Sequence, residues 1–222
     1  MMKVVAFIPI KLNNERFPNK NIKCFFDGTP LIHFVQKTLL KCKEVDDIYI
    51  FCSDEAIKPY ILDGIKFLQR PTNLDTKETL AADLIQAFSD AIDSDIYILA
   101  CATSPFVKLK TYQECINTVK LGNFDSAFAG GKMQKFVWYK NAPLNFTLDK
   151  APRTQDMQPI FYELSSPYVF TKDVFKKYHG RTSENPYIHE GSLLETIDID
   201  YHEDFEVADI LYRRFIKNEQ FW

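Results

Sequence analysis

The chain has 222 residues, 46% of them apolar and 26% charged, with a formal net charge of −3. That length suits one domain able to bury its own core, and the composition excludes a disordered chain. The slight negative balance argues against a broad basic surface for nucleic acid, and no apolar run nears the roughly 20 residues that span a bilayer. The cysteines Cys24, Cys42, Cys52, Cys101 and Cys115 are odd in number and show no CxxC or Cys/His metal spacing. Reduced thiols in a cytoplasmic protein are expected. Glycine is scarce, at 7 residues, and neither GxGxxG nor GxxxxGK[ST] occurs. The standard dinucleotide fingerprint and the Walker phosphate loop are therefore absent.

Val4–Ile10 (VVAFIPI) is a near-continuous apolar run, as a strand buried on both faces requires, and not a signal peptide. The polar loop Lys11–Asn21 follows. Pro30–Lys43 has apolar residues at helical spacing behind an N-terminal proline. Asp47–Cys52 and Ile65–Leu68 read as strands, Glu78–Ile92 as an amphipathic helix, and Ile96–Ala100 as a further strand. Leu109–Leu121 is predicted helical and Asp125–Ala129 extended. Phe136–Pro159 is irregular and aromatic, as a partner contact or a lid would be. Ile160–Phe170 returns as an extended segment and Lys172–Tyr178 as a short helix. Leu194–Ile199 is predicted as the last strand and Glu203–Lys217 as a terminal helix. Alternating βα units imply an α/β three-layer sandwich with a mainly parallel sheet, its ligand beyond the strand C-termini.

Three clusters at strand ends carry chemistry. Lys11, Arg16, Lys20 and Asn21 follow the first strand, where cations could surround a polyphosphate; a solvated basic loop would read the same. In TIDIDYHED, Asp198 and Asp200 stand at i and i+2 of an extended segment, so their carboxylates share a side. Such a pair suits Mg²⁺ together with substrate phosphates, or it is the polar face of an edge strand with Asp204 serving the next helix terminus. Arg153 and Gln155 could hold a carboxylate or phosphate, or belong to a surface ion pair. Cys101 has no partner that would lower its pKa, Ser104 lacks a GxSxG context, and His189-Glu190 has no second His at helical spacing.

The order AFIPIKLNNERFPNKNI, GTPLI, IFCSDEAI, QRP, ATSP, RTQ and TIDIDYHEDFEVAD resembles the acylneuraminate cytidylyltransferase (CMP-sialic acid synthetase) family over nearly the whole chain. The first loop departs from that family's PARGGSKxxxxKN: Lys11 replaces Arg, Leu12-Asn13 the Gly pair, and Asn14-Glu15 Ser-Lys, while Lys20 and Asn21 are kept. NERFPNK is closer to the STRLPGK of 3-deoxy-manno-octulosonate cytidylyltransferases, so Arg16 matches their Arg, and Glu15 is expected to turn outward. Cys101-Ala102 stand where sialic acid enzymes have Gln-Pro. The resemblance implies a Rossmann-like single domain over 1–222 with a dimerisation element at 132–162, and a Mg²⁺-dependent transfer of CMP from CTP to a sugar acid. It implies that Lys11, Arg16, Lys20 and Asn21 hold CTP, that Arg70 faces cytosine and ribose, and that Asp198 and Asp200 bind the metal. Lys20, Asp198 and Asp200 are the implied catalytic set, and Arg153, Gln155 and Tyr168 the implied sugar-acid side. A homodimer is implied, with neither nucleic acid nor membrane as partner. An octulosonate or phosphonate acceptor, or a scaffold that binds nucleotide without turnover, are the alternatives.

Overall fold

The sheet is organised around its most apolar strand. In a computed structural model that describes residues 2–216, Val4–Ile10 forms β1, and six of its seven residues are buried. β2 (Asp47–Cys52) and β4 (Ile96–Leu99) flank β1 in parallel, and β3 (Lys66–Gln69) adds in parallel to β2. Beyond β4 lie β5 (Ser126–Met133), β8 (Ile160–Thr171) and β9 (Tyr187–Gly191), while β6 (Trp138–Tyr139) and β7 (Ala142–Pro143) form a separate small hairpin. The seven-stranded order is β3-β2-β1-β4-β8-β5-β9, with β8 antiparallel to both its neighbours and the remaining pairs parallel.

Alternation along β1 sorts the layers. Val4, Ala6, Ile8 and Ile10 face α1 (Ile32–Lys41) and α3 (Leu109–Lys120), packing with Val35, Leu39, Ile116 and Val119. Val5 and Phe7 face α2 (Ala81–Ala91) and α4 (Lys172–Tyr178), where the Phe7 and Phe88 rings stack at 4.3 Å. Each such buried side chain contributes about 1.5–3 kcal/mol. A third cluster joins the two ends of the chain. α5 (His202–Leu211), which runs on into a wider turn at Tyr212–Ile216, packs Phe205, Ala208 and Tyr212 against Phe17, Phe25 and Phe34. Ile199 is fully buried in that cluster. Among the described residues no helix is long and apolar enough to cross a membrane.

Two expectations change. Leu194–Ile199 is not a strand: Leu193–Thr196 is a 3-10 turn and Ile197–Asp200 is extended without a ladder partner. The last strand is β9, a half-exposed edge whose polar sequence YIHEG hides it. The terminal helix predicted over Glu203–Lys217 is α5, and Lys217 lies outside the described residues.

Candidate active site

The strand order reverses between β1 and β4, and the crevice above that point is where an open α/β sheet takes its ligand. The loop leaving β1 has no glycine and is shaped by side chains instead. The Asn21 amide donates to the Lys11 carbonyl at 2.9 Å and to Asn14 Oδ1 at 3.4 Å. Asn19 adopts a left-handed conformation (φ 57°), which Asn tolerates better than most residues, and starts the 3-10 turn Lys20–Ile22. That turn directs Lys20 inward, leaving it 7% exposed.

Lys20 Nζ donates to the Ile199 carbonyl at 2.8 Å and to Asp200 Oδ1 at 3.0 Å. Arg16 grips the same carboxylate with both terminal nitrogens, Nη1 2.9 Å from Oδ2 and Nη2 3.2 Å from Oδ1. A bond to Tyr201 and the Asp200 charge raise the Arg16 pKa further. The acidic segment is itself fixed at three points. Ile199 N donates to the Thr103 carbonyl beyond β4 at 2.9 Å, and Asp204 Oδ2 accepts from the backbone N–H of Asp200 and Tyr201. Asp204 thus serves the start of α5. Asp198 accepts from Ser165 Oγ of β8 at 2.7 Å. Burial and the Asp198 charge push the Cys101 thiol up to about 12, against the opposing pull of Arg181 and Lys20. A thiol so held stays protonated at neutral pH and is no nucleophile.

Two adjoining cavities open around these groups. One, about 270 Å³, is lined by Lys11, Lys20, Asn21, Arg70, Thr79 and Cys101 among others. Arg70 is 3% exposed and ion-pairs with Asp75, yet its buried Nε has no partner among the described residues. The other, about 310 Å³, shares Lys11, Asn14 and Lys20 and adds Glu15, Arg16, Phe17 and Lys77. Glu15 is exposed but lines that cavity, so it does not turn wholly away. A roomier cavity of about 560 Å³ between α2 and α4 lies at the opposite end of the parallel strands, away from every predicted site residue.

The structure therefore gathers Lys11, Arg16, Lys20, Asn21, Arg70 and Asp200 around one crevice, with Asp198 beside it. It does not bring Arg153 and Gln155 there. Both are exposed on the 134–159 segment, and Arg153 pairs with Asp156 in its own turn at 2.8 Å. Tyr168 is buried, its hydroxyl donating to Glu163 at 2.7 Å and its ring covered by the Arg181 guanidinium at 3.6 Å. Arg181 and Lys77 escaped the sequence reading. Each sits in a polar loop without a motif, Lys77 just before a predicted helix and Arg181 just after one, and neither position carries a local signal.

The carboxylate pair suits a divalent cation. Burial alternates across Asp198, Ile199 and Asp200, with Ile199 inward, so both carboxylates lie on the outer side of the extended segment. No group of three or more metal-ligating side chains exists among the described residues. Two carboxylates completed by ligand phosphates form a donor set that Mg²⁺ accepts.

The cytidylyltransferase family matches residues 5–220. This chain belongs to that family. It is 23% identical over 215 residues to the N-acylneuraminate cytidylyltransferase of Streptococcus agalactiae serotype V, covering 92% of this chain and 52% of that protein. It is 24% identical over 128 residues to the 3-deoxy-manno-octulosonate cytidylyltransferase 2 of Hydrogenovibrio crunogenus, covering 57% and 51% respectively. The chain thus spans about half the length of these curated relatives. Its fold is similar to that of a CMP:2-keto-3-deoxy-manno-octonic acid synthetase complexed with CTP, with a TM-score of 0.72, 16% identity, and coverage of 96% of this chain and 99% of the other. Family membership and a mainly parallel Rossmann-like sheet are consistent with each other.

Proposed function

We propose that the protein transfers CMP from CTP to a nonulosonate-type sugar acid and releases pyrophosphate. The observation that supports this reading is the 3.0 Å contact between Lys20 and Asp200, 180 residues apart, which joins the basic first loop to the acidic segment near the chain's end. Lys11, Arg16 and Lys20 grip the phosphates, Asn21 holds the loop that presents them, and Arg70 lines the nucleoside side of the cavity. Asp198 and Asp200 would hold Mg²⁺, which when bound neutralises phosphate charge and lowers the pKa of a nearby hydroxyl. The sugar hydroxyl loses its proton to solvent water and attacks the α-phosphate in line, the bond from the α-phosphorus to the bridging oxygen breaks, and pyrophosphate leaves. The protein's own work is positioning and charge stabilisation.

Arg153 and Gln155 reach a sugar carboxylate only from a partner's 134–159 segment, so the working unit is a cytoplasmic homodimer. Tyr168 lines that side indirectly, through Arg181. The octulosonate reading has one specific support: Arg16, shared with that loop type, joins Lys20 on Asp200. Pyrophosphate release with CTP and Mg²⁺ across nonulosonates, an octulosonate, a phosphonate and sugar 1-phosphates tests the proposal. Release with a sugar acid is expected. Release with neutral sugar 1-phosphates alone, or CTP binding without any turnover, would overturn it.

A further inference from the structure

The outer cavity has a cation that no motif supplies. Lys77 comes from the loop after β3, opposite the first loop, and lines the same space as Lys11, Arg16 and Lys20. The loop is anchored on both sides of it. Asp75 is held by Arg70 and by Ser53 Oγ, Thr76 and Thr79 share a hydroxyl hydrogen bond at 3.1 Å, and Leu80 N donates to Asp83 at 2.7 Å. Lys77 itself makes only a long, solvent-exposed ion pair among the described residues. Its nearest carboxylate is its exposed neighbour Glu78 at 3.9 Å, and its side chain is 76% accessible.

Charge around this cavity is unbalanced. Arg16 and Lys20 share the one carboxylate of Asp200. Lys11 has no side-chain partner among the described residues, and Glu15 is the single further carboxylate lining the cavity. Like charges converging on one space repel unless an anion joins them. The first loop also lacks glycines whose backbone N–H groups could cradle phosphate, so side chains must carry the load.

We propose that Lys77 is a phosphate ligand contributed by the second loop, closing on the β- and γ-phosphates while Lys11 and Lys20 hold them from below. This rests on the CTP reading. Under that reading the nucleoside occupies the cavity beside Arg70 and Thr79, and the adjoining cavity receives the distal phosphates. Lys77 then discriminates by phosphate number and not by base. Its charge also offsets Glu15, which faces the same anion.

Calorimetric titration of CTP, CDP and CMP into wild type, Lys77→Met and Lys77→Arg, with Mg²⁺ present, tests it. The expected result is a loss of about tenfold in CTP affinity for Lys77→Met, as one charge-assisted contact gives, with CMP affinity unchanged and most of the loss restored in Lys77→Arg. Because Lys77 is exposed, unchanged thermal melts should confirm that the variants fold. Equal affinity of wild type and Lys77→Met for CTP, or an equal loss for CTP and CMP, would overturn the assignment. If wild type binds CTP no better than CMP, the β- and γ-phosphates are not gripped at all and the CTP reading fails together with the role of Lys77; a wild type that prefers CTP beside an unaffected Lys77→Met sinks the role of Lys77 alone.

Discussion

Replacing Asp200 by Asn changes one charge and almost no volume. Arg16 and Lys20 lose their shared counter-charge, while Lys20 keeps the Ile199 carbonyl and Ile199 stays sealed in the third cluster. Asp200 is 37% exposed, so water solvates the cations left behind and the fold should persist. Asp200→Asn is expected to lower turnover about a hundredfold, or roughly 3 kcal/mol of transition-state stabilisation, with melting and circular dichroism unchanged. Steady-state pyrophosphate release measures it, and near-normal rates would remove Asp200 from the chemistry. At this scale the cations of the first loop were legible because they cluster within ten positions of one strand end. Their meeting with Asp200 was legible only through the family resemblance, since a contact across 180 positions leaves no local pattern. The buried Arg70–Asp75 pair and the orphaned Nε were invisible, for burial of a charged side chain is decided by tertiary packing.

The turn at Leu193–Thr196 shows why one element was misread. LETIDI alternates like a strand, but Glu195 turns inward and is 3% exposed. It accepts from Lys108 N at 3.0 Å, from Ser192 N and Oγ at 2.8 Å, and from Thr111 Oγ. Those local and long-range donors outcompete a ladder. They also clasp the segment bearing Asp198 and Asp200 to the start of α3. Burial opposes the Glu195 charge, yet the donors from Thr111, Lys108 and Ser192 together hold its carboxyl below the usual carboxylate range. A carboxyl with a lower pKa folded than unfolded adds stability above its unfolded value, near 4.3, and that stability is lost as pH falls through the folded value. Glu195→Gln is therefore expected to be less stable than wild type at neutral pH by about 1–3 kcal/mol, with the gap closing on acidification. Urea melts of both proteins from neutral to acid pH measure this, and a gap that stays constant would show that the charge is not what holds the turn. β1 and β2, by contrast, have the bounds predicted for them, because a run buried on both faces has no competing period.

Across the whole molecule, the three layers follow from the alternating βα pattern, but much of the segment between β5 and β8 stands outside the three core clusters. It exposes Trp138, Tyr139, Leu144 and Leu148, each more than half accessible, and Phe136 and Trp138 pack on Phe146 without reaching the main core. An apolar patch of that kind calls for a partner surface, and a second copy meeting it by two-fold symmetry would carry Arg153 toward the opposite crevice. Arg153→Ala and Asp200→Asn homodimers should each lose turnover with the sugar acid. If Arg153 acts in the partner's site, a heterodimer of the two variants, co-expressed with different tags, combines both defects in one site and leaves the other intact, restoring about half of wild-type turnover. If Arg153 acts on its own protomer's site, each site of the heterodimer keeps one defect and the activity stays lost. Trp138→Arg together with Leu148→Arg is expected to yield monomers by sedimentation velocity that still bind CTP, because the residues proposed to hold the nucleotide all lie on one chain. Monomers that also turn over the sugar acid would show that acceptor binding needs neither the patch nor an Arg153 from a second copy.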